Sequence, residues 1–106
     1  MNNMSQIMKQ AKAMQEKMTE VQKKIEEMEV EGSSGGGAVK VIMNGRHELK
    51  KIDIDKSIIN AEESEVLEDL IVAAHNNAKA QLKTKTSEEI SKATGEFGIP
   101  GFKWPI

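Results

Sequence analysis

The chain has 106 residues, no cysteine and a formal net charge of −2, with charged residues at 30% and aromatic residues at only 3%. That length suits one domain with a modest core, and the shortage of large side chains to fill it points to homo-oligomerisation. The lack of cysteine excludes disulfides and thiolate metal sites; residues 1–15 lack the apolar core of a signal peptide and no stretch nears the ~20 apolar residues of a membrane span, so the expected location is cytoplasmic.

Met4, Ile7, Ala11, Met14, Met18, Val21, Ile25 and Met28 follow one another at alternating spacings of three and four. This is a heptad seam, and no Gly or Pro interrupts residues 1–31, so the segment is predicted to be one helix. Residues 3–28 of such a helix span ~39 Å. Methionine in a seam ordinarily serves as adaptable core filler, and the same softness would suit a surface that holds client peptides. The cluster Gly32-Ser33-Ser34-Gly35-Gly36-Gly37 predicts a turn, with a short strand over residues 28–31 before it. Residues 38–43 alternate through Val39, Val41 and Met43 as a second strand. Asn44-Gly45 carries the signal of a two-residue type I′ hairpin. Residues 46–54 form a third strand whose apolar phase slips between Leu49 and Ile52, which predicts a bulge near Lys50-Lys51.

A second long helix is predicted from Asn60. Asn60 and Glu63 have the spacing of a capping box, and Glu62, Glu63 and Glu65 favour the positive helix end. Val66, Leu67, Leu70, Ile71, Ala74, Ala78 and Leu82 form its apolar face. Residues 83–89 hold no apolar side chain, so they are expected to be solvated or to await a ligand. The seam of the first helix is expected to pack on the face from Leu67 to Leu82 and on the sheet, leaving dimerisation to the strands. Residues 95–106 contain Gly95, Gly98, Pro100, Gly101 and Pro105 together with all three aromatics, Phe97, Phe102 and Trp104. They read as a non-helical tail suited to docking on the body or on a second subunit. The fold class is therefore α+β: a long N-terminal helix, a three-stranded antiparallel meander and a long second helix, with residues 1–94 as one α-β-β-β-α domain.

Charge is unevenly spread. Residues 1–15 carry Lys9 and Lys12 and no acid, residues 16–75 carry 14 acids against 8 bases, and residues 76–106 carry 5 lysines against 3 acids. If the free start of the first helix and the free end of the second project together, Lys9, Lys12, Lys79, Lys83, Lys85 and Lys92 form a basic tip on an acidic body. Such a tip draws a polyanion to one place while the remainder repels it. In the second helix, acids first and lysines last is also the order that the helix dipole favours, at ~0.3–1 kcal/mol per charge. The first helix has the reverse order, with Glu20, Glu26 and Glu27 trailing its lysines, and the dipole does not account for that. Lysines are flexible point charges suited to phosphates rather than to bidentate base reading. His47 and His75 lack ligand spacing, Ser33-Ser34 lacks the Gly-Lys-Ser/Thr ending of a phosphate loop, and the carboxylates lie on exposed helix faces. No metal, cofactor, small-molecule substrate or catalysis is expected.

The Met- and Gln-rich opening (Met8-Lys9-Gln10-Ala11 through Met14-Gln15-Glu16-Lys17-Met18) is followed by the Gly-rich region with Val39-Lys40-Val41 and Asn44-Gly45. Ile54-Asp55 then leads into Leu67-Glu68-Asp69-Leu70, and Pro100-Gly101-Phe102 lies in the tail. In this order and spacing the motifs resemble the YbaB/EbfC family of bacterial nucleoid-associated DNA-binding proteins. The resemblance implies a tweezer-like homodimer with joined sheets, whose projecting helices grip double-stranded DNA at the nucleoid without catalysis. Trp104-Pro105-Ile106 departs from the family pattern, in which a smaller residue more often precedes the proline. The alternative reading is a Met-rich coiled-coil chaperone or adaptor module.

Overall fold

The computed structural model describes residues 2–95; the tail predicted from the Gly, Pro and aromatic pattern lies outside them, apart from Gly95. Helix α1 spans Asn2–Glu27, strand β1 Glu29–Ser34, β2 Val39–Asn44, β3 Leu49–Ile54 and helix α2 Ser64–Gly95. The strands form one antiparallel sheet in the order β1-β2-β3. This is the helix–meander–helix that the periodicities predict, drawn out to 75 × 23 × 15 Å.

The predicted turn cluster divides in two. Gly32-Ser33-Ser34 continues β1, paired with Val41, Lys40 and Val39, and only Gly35, Gly36 and Gly37 turn, at φ 60°, 66° and 95°. Gly32 stays in the strand because α2 crosses it there. A Cβ on Gly32 would overlap the Ala74 carbonyl oxygen and stand 2.6 Å from the Ala78 nitrogen. The helix also tethers this edge strand: the Ser33 N–H donates to Asn77 Oδ1 at 3.1 Å and Ser34 Oγ donates to the Leu70 carbonyl at 2.5 Å.

The hairpin is not a two-residue type I′ turn. His47 is the residue in the left-handed region, at φ 65°, and the Asn44 N–H donates to the Glu48 carbonyl at 3.0 Å across a three-residue loop. Asn44 Oδ1 accepts from the N–H groups of Arg46 and Glu48 at 2.9 and 3.0 Å. Gly45 serves packing instead: its N–H donates to the Met28 carbonyl at 3.0 Å, and the Ile25 carbonyl fills the space a Cβ would need. The end of α1 thus moves the turn. The bulge falls as predicted, because Ile42 pairs with Lys51 and Met43 with Leu49, leaving Lys50 as the extra residue.

Asn60 caps a short 3-10 turn, Ala61–Glu63, through a 3.0 Å bond from the Glu62 N–H, and α2 begins only after it. Val66, placed on the apolar face by its spacing, is 54% exposed. The packed line runs instead through Leu70, Ala74, Ala78, Leu82, Thr86, Ile90 and Thr94, every fourth residue, all buried or half-buried. Four residues overshoot a helical turn by ~40°, so over six steps the line winds ~240° around α2. Its first part packs with Val30, Val39, Val41 and Met43. Its last part, with Ala93, meets Val21 and Ile25 of α1 in a second core. Thr94 is tolerated there because its hydroxyl donates to the Ile90 carbonyl at 3.1 Å.

Residues 83–89 are largely solvated, as expected, with Lys83, Thr84, Lys85 and Glu88 exposed and Thr86, Ser87 and Glu89 half-buried, and they carry α2 from one core to the other. One expectation is corrected by this winding line. The α1 seam packs on Ile90 and Ala93, with Met18 and Met28 at its margin, rather than on the face from Leu67 to Leu82. β1 follows α1 directly and runs antiparallel along α2, so it takes that face first and leaves α1 the distal end.

Candidate nucleic-acid interface

Beyond its contact with α2, helix α1 overhangs. Residues 3–13 are all exposed, which amounts to ~16 Å of helix. Lys9 and Lys12 sit three apart on this overhang and so share one side of it. Its first turn holds no acid, and none follows until Glu16. The same overhang leaves Met4 75%, Ile7 62% and Met8 70% exposed, so the outer half of the seam has no partner among the described residues.

At the base of the overhang the two helices are joined through Glu89. Its carboxylate lies 2.9 Å from Lys24 Nζ and 4.0 Å from Lys92 Nζ. The hydrogen bond from Lys24 holds its pKa below the ordinary glutamate value, helped by the charges of Lys24, Lys92 and Lys85. Lys17, Glu20, Lys24, Glu89 and Lys92 line a cleft of about 220 Å³ between the helices. Lys17 and Lys24 were not among the residues picked out by charge at the chain ends. Their signal was the seven-residue spacing, which sets both on one flank of the seam.

The remaining lysines lie elsewhere. Lys79 and Lys83, four apart, share one exposed flank of α2, and Lys85 falls on the opposite flank. There its Nζ donates to the Glu29 carbonyl at 3.4 Å, in a groove also lined by Glu29, Glu31 and Glu88. Three carboxylates around one ammonium make that groove a poor place for a phosphate. Measured from the Lys24–Glu89 contact, Lys9 lies ~22 Å outward along α1 and Lys79 ~15 Å back along α2. The six lysines therefore form separate groups, not the single tip expected, because the half of α2 that bears Lys79, Lys83 and Lys85 is laid along β1. Arg46 is remote from the overhang, its Nη2 3.5 Å from Glu26 Oε2 at the base of α1.

Among the described residues no three His, Asp or Glu side chains come together to hold a metal ion, and no helix is long and apolar enough to cross a membrane.

The fold is shared with an uncharacterised protein of Helicobacter pylori, at a TM-score of 0.67 and 24% identity, covering 83% of this chain and 92% of that one. In sequence the chain is similar to nucleoid-associated proteins of Granulibacter bethesdensis and Paramagnetospirillum magneticum, 48% and 51% identical, each over the full length of both chains. A third, from Phenylobacterium zucineum, is 49% identical over 95% of both chains. Residues 1–97 match the model of the YbaB/EbfC DNA-binding family, and the chain belongs to that family.

Proposed function

We propose that this protein is a non-catalytic nucleoid protein of the bacterial cytoplasm that binds double-stranded DNA as a homodimer, chiefly through phosphate contacts. The observation that carries the reading is the overhanging end of α1, which presents Lys9 and Lys12 on a projecting, acid-free rod while the approach to α2 and its first turns, with Glu62, Glu63, Glu65, Glu68 and Asp69, are acidic. Lys79, Lys83 and Lys92 add charge along α2, and Lys85 is the weakest contributor because of its acidic groove. DNA binding by the family and the names of the relatives support the same partner. Lysine-dominated contacts imply limited sequence readout.

The dimer is argued from β3. Leu49 and Ile52 stand opposite Met43 and Val41 in register, and therefore on the core face, yet they are 39% and 44% exposed because α2 covers β1 and β2. A second copy would cover this apolar strip, while the β1 edge is already tethered to Asn77 and Lys85. Ile52→Glu should yield monomers by light scattering; an undiminished dimer would refute the strip as interface.

The DNA reading is tested by titrating duplex at several salt concentrations. Each phosphate contact adds ~0.9 to the slope of log affinity against log salt. With two lysines per chain and two chains, Lys9→Gln/Lys12→Gln should lower the slope by ~3.6 at most and weaken binding strongly at low salt, whereas Lys85→Gln should change little. Wild-type slope and affinity in the double variant would overturn the assignment. The exposed Met4, Ile7 and Met8 favour a second reading, a module holding client peptides; in that case the double variant would still suppress client aggregation while DNA binding remained weak in both proteins.

A further inference from the structure

We infer that the overhang of α1 is a second interface between copies of this chain, in which residues 3–15 of two α1 helices pair antiparallel along the uncovered seam. The seam does not stop where α2 stops. Met14, Ala11, Ile7 and Met4 continue, at the same alternating spacing, the face that Val21 and Ile25 bury against Ile90 and Ala93. Met4, Ile7 and Met8 on this continuation stay well over half exposed, an apolar strip with no partner among the described residues.

The residues beside the seam name the occupant. With Met4 and Ala11 at heptad position a and Ile7 and Met14 at d, the flanking e and g positions hold Asn3, Met8, Gln10 and Gln15. None is charged. In coiled coils these positions ordinarily carry the charges that choose a partner, so the strip neither repels a copy of itself nor attracts a charged helix. Lys9 and Lys12 fall at f and b, turned away from the seam, and stay accessible when it is covered. The strip is also complementary to its own reverse. When two overhangs run antiparallel, Met4 meets Met14 of the other copy, Ile7 meets Ala11, and Met8 flanks Met8. At the two central layers a large side chain opposes a small one, which lets the helix axes close to ~8 Å. A parallel pair would instead align two positive helix ends and crowd both bodies, each with 14 acids against 8 bases over residues 16–75, at one end. Covering Met4, Ile7 and Met8 in both copies buries on the order of 700 Å² in total, short of the ~1,200 Å² of a stable complex. The joint therefore forms where copies are already concentrated, and it adds to the strip on β3 instead of replacing it. It sets the lysines of two copies on the outside of one rod, and this does not depend on what those lysines bind.

The chain has no cysteine, so introduced thiols report the joint directly. Full-length tagged Ile7→Cys is co-refolded with untagged Ala11→Cys and oxidised mildly. Because pairing raises the local thiol concentration toward the millimolar range, the mixed disulfide should form about tenfold faster than between Gln6→Cys and Ala13→Cys. Those two lie at the same level on the outward faces. Met4→Glu in both chains should remove the advantage. Equal rates for the two pairs would overturn the proposal, as would an advantage that survives Met4→Glu. Preferential disulfides of Ile7→Cys with itself and of Ala11→Cys with itself would overturn the antiparallel order. Circular dichroism of each variant confirms that helix content is retained.

Discussion

Gly32→Ala tests the crossing of α2 over β1, on which the whole arrangement rests. An added Cβ would collide with the Ala74 carbonyl and lie 2.6 Å from the Ala78 nitrogen and 2.7 Å from the Ala78 Cβ, where ordinary contact begins at 3.4 Å. The first two obstacles are backbone, and β1 is held by its pairing with β2, so α2 must lift by nearly an ångström. That thins the contacts of Ala74, Ala78 and Leu82 with Val39 and Val41, all of them essentially inaccessible to solvent. Overpacking of this kind costs ~1–3 kcal/mol, and the reduced freedom of the unfolded chain offsets ~0.4–1 kcal/mol. A net loss of ~1–2 kcal/mol lowers Tm by ~5–15 °C in a domain of this size. Thermal unfolding followed by circular dichroism at fixed protein concentration reads it directly. Gly95→Ala, which meets nothing within 4 Å, is the comparison expected to show no loss. A Gly32→Ala protein as stable as the wild type would refute the close crossing.

Two further outcomes concern the junction of the helices. Ile90→Ala removes the largest α2 side chain from the second core and should cost ~2–4 kcal/mol; hydrogen exchange should show protection lost over residues 18–27 while β2 stays protected, and uniform loss would mean that the two cores are one cooperative unit. Glu89 has a lowered pKa, so its contribution is fully present above the ordinary glutamate value of 4.5 and is lost as pH falls through the folded value. Lys24→Met removes the main cause of that shift, and stability measured against pH should then fall less steeply below pH 4.5 than in the wild type; identical profiles would remove the ion pair from the account.

Much of the fold was legible because its signals are local. The heptad spacing of α1, the alternation of β2, the phase slip that marks Lys50 as a bulge and the Asn60 cap each lie within a few residues of what they specify. The turn at Asn44-Gly45 misled for the opposite reason: Gly45 is chosen by contact with the distant Ile25 carbonyl, which no local pattern records. Likewise Gly32 looks like part of a turn until Ala74 and Ala78 are seen across it. The lysines of the candidate site were legible as charge but not as a constellation, since their grouping depends on how α2 lies.

The sequence alone determined a long seam-bearing helix, a three-stranded meander, a second long helix and basic charge at both ends of the chain. Only the tertiary structure decided which lengths of those helices meet. β1 runs back along α2 and occupies its first face, and the four-residue spacing of Leu70 through Thr94 turns the remaining face toward Val21 and Ile25. A periodicity states that a face will be buried, but its partner is set by chain connectivity and steric access. That is why the outer seam, with Lys9 and Lys12 beside it, is left projecting.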